Sequence, residues 1–265
     1  MNKYDWNAED YAKHSTAQQE WARELIAKLH LRGRENVLDI GCGDGKVTAE
    51  IAAAVPDGSV LGVDNSPSMI ELAQKKYPAG KYSNLFFQRA DARELPFNRR
   101  FEIVFSNATL HWIRNHGPVL AGIYKSLRPD GRILLQMGGR GNAAGVIAVL
   151  EDVKKAARWA PYFTGFEFPY GFHEAGDYKT WLKQTGFHSV RAELIPKDMT
   201  HAGLSGLAGW IRTTWLPYTQ RIPENRRGAF IQELVHNYIQ KYPPDKAGMI
   251  HVQMVRLEVE AIKSA

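Results

Sequence analysis

The stretch Asp39-Ile40-Gly41-Cys42-Gly43-Asp44-Gly45 lies between a short apolar run and a helical pattern. Its glycines let the backbone turn sharply and approach a ligand with no Cβ in the way, which makes a nucleotide-type site at the C-terminal end of a strand. In dinucleotide enzymes the spacing G-x-G-x-x-G seats a pyrophosphate against a helix N-terminus. Here the third glycine comes one residue early and position 46 is Lys. The loop therefore suits a ligand with no pyrophosphate and a positively charged end. Asp39, two residues ahead of Gly41, can meet that charge directly or brace the loop. Asp64 closes the next apolar run, where a carboxylate accepts hydrogen bonds from ribose hydroxyls. Asp91-Ala92 follows the third run and is placed for an adenine amino group. Any one of these acids could simply cap a helix or turn; three in this order would line one crevice.

Such acids need strands to carry them. Residues 36–40, 59–63, 85–89 and 101–106 read as short strands. Helical patterns run from Lys46 to about Ala54 and from Ser66-Pro67 onward, where serine supplies the cap and proline the first turn. A helix around 119–127 stops at Arg128-Pro129-Asp130-Gly131, and residues 132–137 form a fifth strand. This alternation predicts a parallel sheet with helices on both faces. Further on, the spacing predicts a helix over 143–159 and an aromatic, proline-bearing segment over 161–173. A helix over 178–185 closed by Gly186 follows, then a strand over about 189–195. Residues 204–242 are mostly helical, and a last strand follows with one break in its apolar phase. Before the first strand, Trp21, Leu25, Ile26 and Leu29 at helical spacing predict one or two helices.

With 265 residues, 44% hydrophobic and 23% charged, the chain can bury one large α/β core and carry a modest extra lobe. The net charge of +6 is scattered along the sequence, which suits solubility and mild attraction for anions; no nucleic-acid partner is expected. The single cysteine, Cys42, excludes an intrachain disulfide and a cysteine-based zinc site, and no metal is expected. The first residues lack the apolar run of a signal peptide, and no stretch reaches the roughly 18 apolar residues of a membrane span. The expectation is a cytoplasmic protein with no membrane partner, either monomer or homodimer.

The segments 37–45, 60–64, 91–92, 101–107 and 127–135 together resemble the motifs of the class I S-adenosylmethionine-dependent methyltransferase family. The likeness covers about 36–137, with a weaker echo in Gly186-Phe187 and the last two strands. It implies an α/β, Rossmann-like, mostly parallel seven-stranded sheet with helices on both faces, an antiparallel last strand and a helical cap. It also implies S-adenosyl-L-methionine as methyl donor and S-adenosyl-L-homocysteine as product. Tyr11 and His14 would fold over the cofactor, and Gly41 and Gly43 would pass close to its methionine part. Asp39, Cys42, Asp64, Asn65, Met69, Asp91, Ala92 and Asn107 complete the implied contacts. The implied organisation is N-terminal helices (1–35), cofactor-binding core (36–137), cap insertions (138–174 and 196–248), a core helix and strand (175–195) and a final core strand (249–265). Within the family, Trp6 to Tyr11, Leu110-His111-Trp112-Ile113 and the C-terminal stretch from Leu216-Pro217-Tyr218 through Val255-Arg256-Leu257 are most similar to trans-aconitate 2-methyltransferase-like small-molecule methyltransferases, which implies a carboxylate acceptor.

Methyl transfer from a sulfonium is an in-line displacement that demands alignment, short approach and exclusion of water. An ionised carboxylate attacks without a general base, so positioning can suffice. His111 is the candidate if a proton must be taken, and Trp112 beside it either walls the acceptor or packs in the core. Arg140 and Arg212 are candidate clamps, because a forked guanidinium matches a carboxylate; their plainer role is as surface arginines. Tyr170, with Phe163, Phe166, Phe168 and Phe172, either faces the pocket or forms the cap's own core. Two other activities compete: methyl transfer to RNA or protein, and nicotinamide-dependent oxidoreduction. The latter is disfavoured by Lys46 and by the absence of a Tyr-x-x-x-Lys pair.

Overall fold

A computed structural model describes residues 16–264. The expected Tyr11 and His14 contacts lie outside the described residues. The chain opens with α1 (Thr16–Lys28), then alternates β1 (Asn36–Ile40), α2 (Lys46–Ala54), β2 (Ser59–Asp64), α3 (Pro67–Lys76), β3 (Leu85–Arg89) and β4 (Phe101–Asn107). A 3-10 turn (Leu110–Trp112) and α4 (Gly117–Ser126) lead to β5 (Leu127–Gly138). After these come α5 (Ala144–Val153), α6 (Ala175–Thr185), β6 (Phe187–Ala202), α7 (Gly203–Thr214), α8 (Leu216–Thr219), α9 (Glu224–Lys241) and β7 (Met249–Lys263).

The strands form one seven-stranded sheet in the order β3-β2-β1-β4-β5-β7-β6. β1 pairs in parallel with β2 and β4, β2 with β3, and β4 with β5, whereas β7 runs antiparallel to β5. The expected Rossmann-like sheet with a reversed last strand is therefore present. The chain winds outward from β1 to β3 and then returns to place β4 on the other side of β1. At such a reversal the two flanking connections leave in opposite directions and open a crevice at the strands' C-terminal ends, where ligands bind in open α/β sheets.

Central strands are apolar because both faces are covered. On one face Leu25 of α1 and Leu29 just after it, with Ile51 and Ala52 of α2 and Val55 beyond it, pack on Val37, Val60, Phe105 and Leu134. On the other, Val119, Leu120 and Ile123 of α4 and Tyr178 and Leu182 of α6 pack on Leu38, Ile40, Val104, Leu135, Leu257 and Val259. Each such side chain contributes about 1.5–3 kcal/mol by burial. Ser66 caps α3 by accepting from the Met69 N–H, and Gly186 ends α6 in the left-handed region at φ 97°.

Two expectations are corrected. The helix expected over 143–159 begins at Ala144, after Ala143 in a left-handed conformation, and ends at Val153. Tight turns follow, with N–H bonds from Ala156 to Val153 O and from Trp159 to Ala156 O. They seat Trp159, whose indole donates to Glu233 at 2.6 Å and packs edge-on against Phe230; that tertiary anchor overrides local helix propensity. The fifth strand begins at Leu127 instead of Arg132. Phe101 pairs with Leu127 and Ile103 with Arg132, so Arg128-Pro129-Asp130-Gly131 is accommodated as an irregularity inside the ladder. The expected phase break in β7 is a run of four buried residues, Arg256 to Val259, between two alternating stretches.

The described residues divide into two compact units. One comprises Gln18–Arg140, Tyr170–Ile195 and residues 256–264; the other comprises Gly141–Pro169 and Pro196–Val255. In the latter, α9 packs against α5, α7 and α8, and Phe163, Phe166, Tyr218 and Phe230 form an aromatic cluster. No helix of the described residues is long and apolar enough to cross a membrane.

Candidate active site

The loop after β1 is built by its glycines. Gly41, Gly43 and Gly45 adopt φ of 77°, 54° and 81°, a region that L side chains enter at a cost of about 1–2 kcal/mol. A Cβ at Gly41 would lie 2.1 Å from the Thr109 side chain, and one at Gly45 would lie 2.6 Å from the Phe87 ring. At Gly43 the same atom would meet nothing within 4 Å. The loop is thus packed on its flanks and open at its centre, and a ligand can reach the backbone at Gly43. The Gly41 and Cys42 N–H groups both donate to Val63 O, at 2.7 and 3.1 Å, which ties the loop to β2. Gly62 is required for the same reason: a Cβ there would lie 2.9 Å from the Cys42 Cβ.

Two of the three acids converge on this loop. Asp64 accepts the Gly43 N–H at 3.1 Å on one oxygen and the Ser66 N–H at 2.8 Å on the other. It joins the loop to the start of α3, and burial raises its pKa. Asp39 is buried and accepts from the Thr48 hydroxyl at 2.7 Å, which couples β1 to the first turn of α2. Burial raises its pKa to about 7, and the charge of Asp64 adds to the effect, against the Thr48 hydrogen bond. A positive charge placed beside such a carboxyl favours its ionised form. Asp91, two residues past β3, is engaged with Arg93, whose guanidinium donates at 2.9 and 2.5 Å and whose N–H donates at 2.9 Å. That hydrogen bonding lowers its pKa, so it stands as an ionised acceptor. Cys42 and Met69 are buried, Asn65 is exposed, and Ala92 packs partly on the core.

On the other side of the reversal, Asn107 ends β4 opposite Gln136 of β5. Ala108 follows at φ 55°, and Thr109 donates to Gly41 O at 3.1 Å. The cofactor-type loop and the 3-10 turn are therefore locked together. His116 holds that turn from below: its Nε2 donates to Leu110 O and Ile113 O, both at 2.9 Å, and its Nδ1 faces the Tyr178 hydroxyl.

The turn presents His111 among aromatic rings: Trp112 at 5.9 Å, Tyr170 at 6.0 Å and Phe172 at 5.8 Å between centroids. Trp112 meets Tyr170 edge-on at 5.1 Å. Burial, with the charge of Arg256 and then His116, pushes the imidazole down to about 3. The Gly138 N–H points to its Nδ1 at 3.4 Å. A backbone N–H only donates, so Nδ1 is the acceptor and the neutral ring carries its proton on Nε2.

Arg140 pairs with Glu174 at 3.0 Å, its side chain 71% exposed. Arg212 lies exposed on α7, in the other unit. Sequence reading did not single out Thr48, which carries the Asp39 contact, or Thr109, which fills the space above Gly41. A threonine in the first turn of the helix after a glycine loop was the available signal for Thr48; nothing local marked Thr109. Among the described residues, no group of three or more His, Cys, Asp or Glu side chains is arranged to hold a metal ion.

A parallel sheet reversing beside β1, with an open glycine loop and acids at the ends of β1 and β2, defines a Rossmann-like protein with a nucleotide-type site. The methyltransferase domain family matches residues 37–131. A methyltransferase of Schizosaccharomyces pombe is 30% identical over 196 residues, 72% of this chain and 74% of that protein. The trans-aconitate 2-methyltransferase of Methylobacterium nodulans is 27% identical over 259 residues, 96% of each chain. Among solved structures, the YcgJ protein of Bacillus subtilis superposes with a TM-score of 0.63 at 17% identity, over 93% of this chain and 99% of that one. The chain belongs to the class I S-adenosylmethionine-dependent methyltransferases. S-adenosylmethionine is its cofactor, and the oxidoreductase alternative falls away.

Proposed function

We propose that the enzyme transfers the methyl group to a carboxylate oxygen of a small acceptor. The carrying observation is the 96% reciprocal coverage with trans-aconitate 2-methyltransferase, and the chemistry of the 3-10 turn supports it. His111 holds its proton on Nε2 and is held neutral, so it is arranged to donate and not to take a proton. A carboxylate is the acceptor that needs no base, being already ionised at neutral pH.

In this reading Gly43 and its neighbours Gly41 and Cys42 take the methionine part, with Asp39 answering its positive charge through the loop. Asp64 and Asn65 take the ribose, Asp91 and Ala92 the adenine, and Met69 and Asn107 flank the cofactor. Trp112 and Tyr170 wall the acceptor. The sulfonium supplies an electrophilic carbon: a C–O bond forms as the C–S bond breaks, and the electron pair goes to sulfur. The protein contributes alignment and a dry, low-dielectric edge.

The test is transfer of labelled methyl to trans-aconitate and a panel of di- and tricarboxylates. The expected product is an ester whose label mild base releases as methanol. A base-stable product, or transfer only to RNA or protein, would overturn the carboxylate assignment.

A further inference from the structure

Besides Arg140 and Arg212, a third arginine lies close to the turn that carries His111. Arg256 is 3% exposed and sits directly opposite Gly138 at the C-terminal end of β5 in the β5–β7 ladder. Gly138 is the residue whose N–H points to His111 Nδ1 at 3.4 Å. Gly41, at the cofactor loop, is bonded to Thr109 immediately before the turn that carries His111. The sequence of contacts thus runs from methyl-donor loop to 3-10 turn to Arg256 within one compact unit.

The side chain is oriented by its neighbours. Its guanidinium lies over the Trp21 ring at 5.2 Å, a contact that suits a planar, weakly hydrated cation. Two residues further along β7, Glu258 is engaged by Lys28 at 2.6 Å, by Gln136 at 2.9 Å and by Arg191. The same strand therefore carries a compensated acid one step inside the sheet and a permanent cation at its C-terminal edge. A guanidinium does not lose its proton on burial, so its positive potential persists at that edge, and the charge of Arg256 acts on the His111 ring.

We propose that Arg256 is the anion-binding group for the acceptor, with the His111 Nε2–H as a second donor, and that it fixes preference for a polycarboxylate over a neutral analogue. This rests on the carboxylate-acceptor reading above. A second carboxylate of the acceptor would meet the Arg256 fork while the reacting carboxylate faces the methyl group.

The test uses the full chain as wild type, Arg256→Met and Arg256→Lys. S-adenosylhomocysteine affinity by calorimetry reports folding and the cofactor site. Acceptor KM and kcat are measured for trans-aconitate and for an analogue in which the non-reacting carboxylates are carboxamides. Losing one partner of a desolvated charge pair predicts a rise in acceptor KM of at least about 30-fold in Arg256→Met, with kcat much less affected and S-adenosylhomocysteine affinity within about twofold. The acid-over-amide preference of the wild type should collapse in that variant and return in part in Arg256→Lys. An unchanged acceptor KM in a cofactor-binding Arg256→Met protein overturns the assignment while leaving the carboxylate reading intact. Should that variant fail to fold, lack of acid-over-amide discrimination in the wild type overturns it. A wild type that binds S-adenosylhomocysteine but methylates no carboxylate at all removes the underlying reading and the clamp together.

Discussion

Replacing Asp39 with Asn should stabilise the protein without cofactor and weaken its hold on the cofactor, with both effects growing as pH rises. In the folded chain Asp39 is buried with the Thr48 hydroxyl as partner, and burial lifts its pKa from 3.8 to about 7. That displacement corresponds to about 4 kcal/mol of stability as an upper bound. Below pH 4 both folded and unfolded chains hold the proton, and the carboxyl costs nothing. Between pH 4 and 7 the folded chain keeps a proton that the unfolded chain has released, so stability falls as pH rises; above 7 the full cost is paid. Asparagine has no proton to lose and keeps an oxygen for the Thr48 hydroxyl. The stability gain of Asp39→Asn should therefore be near zero below pH 4, reach about 1.5 kcal/mol at pH 5 and approach its ceiling by pH 8. Urea unfolding of the cofactor-free proteins at half-unit pH steps measures this, provided that the m-values agree. Calorimetry with S-adenosylmethionine should show wild-type affinity rising from pH 6 to 8, as the carboxylate forms beside a cation, and a flatter profile in the variant. A stability difference that does not change between pH 5 and 8 would refute the buried-carboxyl account.

Gly43→Ala should fold with a loss of about 1 kcal/mol, because φ 54° is strained but the space is open, while cofactor affinity measured by calorimetry falls at least tenfold. Gly41→Ala adds a 2.1 Å clash with Thr109 and should lower the melting temperature well beyond the Gly43 variant. His251 bonds Asp198 at 2.6 Å and Asp245 at 3.2 Å, and those contacts raise its pKa. Its contribution is complete below the unfolded value of about 6.5 and is lost as pH rises through the folded value. His251→Ala should therefore lower the melting temperature at pH 6 more than at pH 8.5.

The glycine loop and the strands around it were legible because their determinants are local. Asp39, Gly41, Gly43 and Gly45 lie within seven residues, and the strand-helix alternation that presents them follows from periodicity alone. The antiparallel β7 could be anticipated only from the family likeness, because nothing in its alternation states direction. Elsewhere, long-range packing set the outcome. The helix that stops at Val153 does so to seat Trp159 against residues some 70 positions later, and no window of 18 residues contains that information. The irregularity at Arg128 to Gly131 was visible as a turn, but its inclusion in β5 depends on Phe101 pairing with Leu127.

The arginines show the same limit in a sharper form. Arg140 and Arg212 drew notice as arginines beside aromatic or glycine-rich segments, yet both are on exposed faces. Arg256 lay in the stretch that carried the family likeness, but nothing in the alternation of its strand marked it for anion binding. Its significance follows from register: the β5–β7 ladder sets it opposite Gly138, and Gly138 touches His111. Residues 111, 138 and 256 are far apart in the chain, and only sheet topology makes them neighbours. In a sheet that reverses at β1, glycine loops and their acids are read from one strand-turn-helix unit. Groups on the opposite side of the crevice are contributed by strands that join late, so a cofactor can be assigned from sequence well before its acceptor.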